Sequence, residues 1–337
     1  LLLDKYRDPT YRQLEDLYTR LEKWTELVET YRNHIAVTQA PAGKIELLLA
    51  MGQVYEKQIQ DIDRANETYA EILEINPQHY DAAVILARLQ EQIEDWQSAI
   101  KTLGRLVDLA RDPQVRVQHL TRMGQVFMDK LGQPDQAEFR LTQASEIDPG
   151  YVPALVSLAE LYKSRRDWLK AARNLESAFG YSGTKLEKIA LAAEAGFIYY
   201  EELENKDKAV ALFAEVLKLD PEHVRVGRVL GQIYYDDGKF AEADPIFDVL
   251  TRKADQLGLA EQDQRDMYLR AAKVARKLGN GDKALKQYKR ASDIDATNRD
   301  VLVGMADLVF EKEDWEKAFK LYQTILVQHR DTQSSSE

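Results

Sequence analysis

A chain of 337 residues has room for two ordinary globular domains or for one long repeat array. With 45% apolar and 31% charged residues it can bury a core, which excludes a disordered polymer. A net charge of −11 speaks against nucleic-acid binding and against docking on an anionic membrane, and the lack of cysteine excludes disulfides, thiolate catalysis and Cys-ligated zinc.

At the start, Leu1–Leu3 run straight into Asp4, Lys5 and Arg7, which is no signal peptide. With no initiator Met before them, they read as the end of an earlier helix. The longest apolar run, Leu47–Met51, is far too short to span a bilayer, so no membrane insertion and a cytoplasmic location are expected. Ile45, Leu48, Gly52 and Tyr55 then share one helical face, and after a short turn Ala65, Tyr69 and Ile72 share another. Pro77, after Asn76, marks a helix boundary. Only 16 Gly and 9 Pro are present, lean for a β-rich fold, and strand-like alternation is absent.

The same pair of helices returns along the chain. Trp24, Trp96, Trp168 and Phe240 are spaced 72 apart, and Trp315 follows 75 later. Gly52, Gly124 and Gly196 keep the same period, as do Ala99, Ala171 and Ala243, and Pro77, Pro149 and Pro221. Each 72-residue unit contains two halves, since Gly52 to Ala87 is 35 residues and Ala87 to Gly124 is 37. From small residue to small residue across the turn is 12 positions in the halves with an aromatic before the second helix. It is 13 in those starting near Gly52, Gly124 and Gly196, so two kinds of hairpin alternate. The recurring glycines are expected where the helices cross, and the tryptophans are expected to be buried beneath the turn. From Gly231 to Ala272 the spacing stretches to 41, which predicts an extended helix or loop around Arg252–Asp263.

The segments Leu158-Ala159-Glu160-Leu161-Tyr162 to Trp168-Leu169-Lys170-Ala171 and Leu230-Gly231-Gln232-Ile233-Tyr234 to Phe240-Ala241-Glu242-Ala243 resemble the tetratricopeptide repeat. Nine copies are expected, over residues 9–42, 46–79, 81–114, 118–151, 153–186, 190–223, 225–262, 266–299 and 300–330. The resemblance implies an all-α fold: a single right-handed α-solenoid of antiparallel helix hairpins over 1–330, then a disordered tail over 331–337. It also implies a concave groove, lined by the first helices, that grips protein or peptide segments.

Carried over position by position, the groove is distinctive in the C-terminal half. Phe197 and Tyr200 are expected to face inward, then Arg225, Arg228, Gln232 and Tyr235, then Lys273, Arg276 and Lys277. Aromatics and arginine anchor protein interfaces, and a basic stretch in an acidic chain suits an acidic or acidic-aromatic ligand. The competing reading pairs Arg225, Arg228, Lys273 and Arg276 with Asp236, Asp266 and Asp300 of neighbouring copies. The two-carboxylate clamp of some relatives needs Asn at groove positions that here hold Asp16, Gln53, Arg88, Gln125 and Glu160, so that ligand is not expected.

No cofactor, no metal and no catalysis are expected. The five histidines are scattered without metal-ligand spacing, and His79 and His223 read as turn residues that meet nothing. Gly279-Asn280-Gly281 joins two helices and lacks the strand a dinucleotide fingerprint needs. Asp293-Ile294-Asp295 lacks the glycine and glutamate of a calcium loop. The sequence thus predicts a scaffold or adaptor. Alternatives are a regulatory or recruiting region of a larger enzyme or assembly, RNA binding by half-repeats, which the charge opposes, and self-association through the repeat ends.

Overall fold

Ala, Leu, Glu, Lys and Arg favour helix, and in the computed structural model, which describes residues 7–256 and 258–328, the fold is all-α. The described residues form α1 (Arg7–Arg20), α2 (Trp24–Val37), α3 (Pro41–Val54), α4 (Ile62–Ile75), α5 (Tyr80–Gln92), α6 (Trp96–Leu109), α7 (Pro113–Asp129), α8 (Pro134–Ile147), α9 (Val152–Ser164) and α10 (Trp168–Tyr181). They continue with α11 (Lys185–Phe197), α12 (Lys206–Leu219), α13 (Val224–Asp236), α14 (Phe240–Lys253), α15 (Glu261–Lys277), α16 (Gly281–Ile294), α17 (Arg299–Glu311) and α18 (Trp315–Gln328). Consecutive helices pair as hairpins, α1 with α2 through to α17 with α18. The chain divides into two compact units, Leu1–Tyr181 and Ser182–Glu337, and within each unit every hairpin packs on the next. Leu1–Leu3 and the predicted tail over 331–337 lie outside the described residues.

The recurring glycines sit where the two helices of a hairpin touch. A Cβ on Gly52 would stand 2.8 Å from the Tyr69 ring, one on Gly124 2.5 Å from Leu141, and one on Gly196 2.6 Å from Phe213. Those three partners are themselves 72 residues apart and fully buried. The period is therefore a packing rule: a large side chain on the second helix fills the notch left by a missing one on the first.

The turns obey the period too. Glu22, Glu94, Arg166, Gly238 and Glu313 all have φ between +54° and +70°. In the hairpin of α5 and α6, Glu94 N–H donates to the Glu91 carbonyl and Asp95 N–H to the Gln90 carbonyl, closing α5 with a left-handed residue. Asp95 then caps α6 by accepting from Ser98 N–H at 3.1 Å, so one helix ends and the next begins across three residues. The longer hairpins absorb their extra residue locally. Two do so as a π turn at the end of the first helix, Tyr55–Ile59 and Ile198–Glu202. The hairpin of α7 and α8 instead lengthens the turn, with Gly132 at φ +60°.

Two expectations are corrected. His79 and His223 do meet a partner: each imidazole Nδ1 accepts a backbone N–H, from Ala82 at 3.2 Å and Val226 at 3.3 Å, and caps α5 or α13. The tryptophans are not enclosed. Trp24, Trp96 and Trp168 open their helices half-buried and Trp315 is 55% exposed, each at the first helical position after a three-residue turn.

The stretched spacing after Gly231 is a longer connector. Three residues join hairpins at 38–40, 110–112 and 182–184, whereas seven, 254–260, join α14 to α15. The four added residues account for 41 in place of 37. They fold as a 3₁₀ turn, Ala254–Gln256, followed by Gly258 at φ +57°.

Candidate peptide-binding clefts

On first helices, the residues flanking the small position set the chemistry of the face that a partner could meet. In the unit Leu1–Tyr181 these residues hold one another. Arg88 on α5 reaches Glu56 at 2.6 Å. Arg122 on α7 grips both carboxylate oxygens of Glu91, and that hydrogen bond pushes its guanidinium pKa up. Gln125 donates to the Ser157 hydroxyl at 3.1 Å. Each charge is largely answered by the neighbouring hairpin.

The unit Ser182–Glu337 holds two larger clefts. The first, about 660 Å³, is lined by Phe197, Tyr200, Glu201, Val224, Arg225, Arg228, Val229, Gln232 and Arg270. Phe197 closes α11, and the π turn that follows carries Tyr200 one turn on. Phe197 packs on Phe213 with centroids 4.9 Å apart, and Tyr200 meets the same ring edge-on at 6.4 Å. Arg225 lays its guanidinium 3.8 Å over the Phe197 ring. Gln232 donates to Asp236 at 2.7 Å. Among the described residues, no carboxylate lies within ion-pair distance of Arg225, Arg228 or Arg270. This cleft therefore presents three unanswered cations beside two aromatic rings, with Glu201 the single acid in its lining.

The second cleft, about 680 Å³, is lined by Lys273, Arg276, Lys277, Tyr288, Arg299, Asp300, Val303, Gly304, Asp307 and Glu311. Here Lys273 and Arg276 are paired, while Lys277 and Arg299 have no carboxylate within ion-pair distance among the described residues. Lys273 pairs with Asp300 at 3.1 Å, and Arg276 bridges Asp307 at 3.3 Å and Glu311 at 2.5 Å. The hydrogen bond to Glu311, with that to Asp307, pushes the Arg276 pKa up. Tyr322 donates to the other Asp307 oxygen at 2.8 Å, and burial pushes the Tyr288 hydroxyl up.

Of the nine predicted groove residues, five (Phe197, Tyr200, Arg225, Arg228, Gln232) meet in the first cleft and three (Lys273, Arg276, Lys277) in the second. Tyr235 lines neither; its ring stands edge-on to Phe240 at 6.1 Å and packs on the core. Sequence reasoning missed Arg270. Its position three before Lys273 puts the two on one helical face, which is the signal that could have found it. The predicted pairing also divides: Lys273 takes Asp300, Arg276 takes other acids, and Asp266 is taken by Arg265 at 2.8 Å. Asp295, read in sequence as a poor calcium ligand, pairs with Arg265 at 3.0 Å. Among the described residues, no helix is long and apolar enough to cross a membrane.

Family models for the tetratricopeptide repeat match residues 10–45, 59–122, 194–257 and 269–334. The chain belongs to the tetratricopeptide repeat family. Among solved structures, this tetratricopeptide repeat chain is similar to MamA, at 21% identity over 54% of this chain and 94% of that one, with a TM-score of 0.42. It is similar to a tetratricopeptide repeat protein from Parabacteroides merdae, at 14% identity over 79% and 98% of the two chains, with a TM-score of 0.42. Yeast Tom70 is a third, at 13% identity over 96% and 92%, with a TM-score of 0.32. Among curated proteins, none matches the chain in sequence.

Proposed function

We propose that this protein is a non-catalytic scaffold that binds an acidic, aromatic-bearing segment of a protein partner in the cleft between α11, α13 and α15. The observation that carries this reading is the trio Arg225, Arg228 and Arg270, without ion-pair partners in a chain of net charge −11. Arg88, Arg122 and Arg276, on other first helices, each find a carboxylate on a neighbouring hairpin. Leaving three cations unanswered in one cleft raises the local positive potential, and a carboxylate-rich ligand supplies the missing partners. Tyr200, 37% exposed at the rim, offers a ring for a ligand aromatic, while Arg225 is already stacked on Phe197.

The test is fluorescence anisotropy with two labelled peptides of equal length, one rich in Asp, Glu and Tyr, the other rich in Lys and Tyr. The acidic peptide is expected to bind with an affinity that falls as salt rises, and to be released by R225E combined with R228E. Equal binding of the two peptides, or no response to the double charge reversal, would overturn the reading.

A further inference from the structure

The lengthened connector does more than interrupt the period. A smaller cavity of about 60 Å³ adjoins the first cleft, lined by Phe247, Leu250, Leu259, Asp263 and Met267. Arg228, Gln232 and Arg270 line both cavities, so these three form a common rim. Leu259, which belongs to the seven-residue connector, supplies one wall. The three-residue connectors elsewhere have no equivalent of it. Phe247, Leu250 and Met267 are buried core residues, so one part of the lining is apolar, while the rest carries two guanidinium groups and a single carboxylate, Asp263.

We infer that this cavity takes one aliphatic side chain of the ligand, flanked in the ligand sequence by carboxylates that reach Arg228 and Arg270. The inference rests on the acidic-segment reading above and adds an anchor to it. Size sets the anchor. A water-sized group occupies roughly 10–15 Å³ of such volume, so the cavity of about 60 Å³ holds about four to six heavy atoms. Leucine, isoleucine and methionine side chains have four each, and a tryptophan has far more. Charge sets the flanks, because a side chain entering the cavity passes between two guanidinium groups that lack partners. An apolar anchor ringed by polar contacts is also the arrangement in which interface energy concentrates.

The experiment uses three labelled acidic peptides that differ at one central position, Leu, Ala or Trp, titrated by anisotropy against the protein and its L259W variant. With the native protein, the leucine peptide is expected to bind about tenfold more tightly than the alanine peptide, and the tryptophan peptide no better than the alanine one. L259W fills the cavity from the connector side. It should bring the leucine peptide down to the alanine level, and circular dichroism reports separately whether the variant keeps its helical fold. A leucine-to-alanine ratio within twofold on the native protein, or a tenfold ratio that survives L259W, overturns the anchor while the acidic-segment reading stands. If none of the acidic peptides binds, both readings fall together.

Discussion

The two clefts of the unit Ser182–Glu337 are near twins in volume and in cation content, yet they differ in what holds those cations. In the second, α17 presents Asp300, Asp307 and Glu311 across from α15, and these acids hold Lys273 and Arg276, leaving Lys277 and Arg299 unpaired among the described residues. In the first, α13 presents its own arginines, and none of them has a carboxylate within ion-pair distance among the described residues. A count of basic residues would rank the two alike. What distinguishes a surface available to a charged partner is whether its charges are already spoken for, since a ligand must first displace any internal partner.

The largest expected effect breaks that comparison directly. R225E, R228E and R270E together should weaken an acidic peptide by about 100-fold or more, as three attractive contacts become repulsive. K273E with R276E, the two cations that acids already hold, should change it by less than about threefold, measured by the same anisotropy titration. Equal losses from the two sets would mean that the clefts are equivalent and that pairing carries no information.

The second expected effect concerns the walls. Gly304 lines the second cleft, and a Cβ there would run into the Tyr288 ring, whereas a Cβ on Gly227, beside the arginines of the first, would meet Ile246 at an ordinary 3.5 Å. G304A should therefore destabilise by about 1–2 kcal/mol, the overpacking penalty less the gain in helix propensity. G227A should be neutral or stabilising by up to about 1 kcal/mol. Urea denaturation followed by circular dichroism reads both. The opposite order would place the close helix crossing at the first cleft.

Third, D307N with E311Q removes both acids that hold Arg276. The second cleft then resembles the first, and affinity for the acidic peptide should rise about three- to tenfold, with a steeper dependence on salt. No gain would show that cavity shape, and not pairing, separates the two.

The hairpins were legible in sequence because packing repeats. Gly52 against Tyr69, Gly124 against Leu141 and Gly196 against Phe213 are one contact made three times, and a period exposes such a rule. The seven-residue connector was legible as a stretched interval. Charge pairing was not, because it depends on which acid of the next hairpin reaches which base. Arg276 passes over the Asp266 that sequence offered it and takes Asp307 and Glu311, 31 and 35 residues downstream. The tryptophans misled for a related reason: their period marks a helix start, and a helix start lies at the surface of a hairpin as often as beneath it.

The smallest effect lies in the turns beneath the clefts. The hairpin of the first cleft turns on Gly238 at φ +70°, and that of the second on Glu313 at φ +61°. The geometry is the same, but only glycine adopts it without a Cβ penalty, set at roughly 1–2 kcal/mol for other residues. Glycine gives back part of that through its greater freedom in the unfolded chain, roughly 0.5–1 kcal/mol. E313G should therefore stabilise the protein by about 0.5–1 kcal/mol, and G238E should destabilise it by a similar amount. Since Glu313 has no carboxylate role in the second cleft, E313G should leave peptide binding at either cleft unchanged. A stability change of the same sign in both variants would mean that the side chain at this turn makes contacts that outweigh its backbone strain.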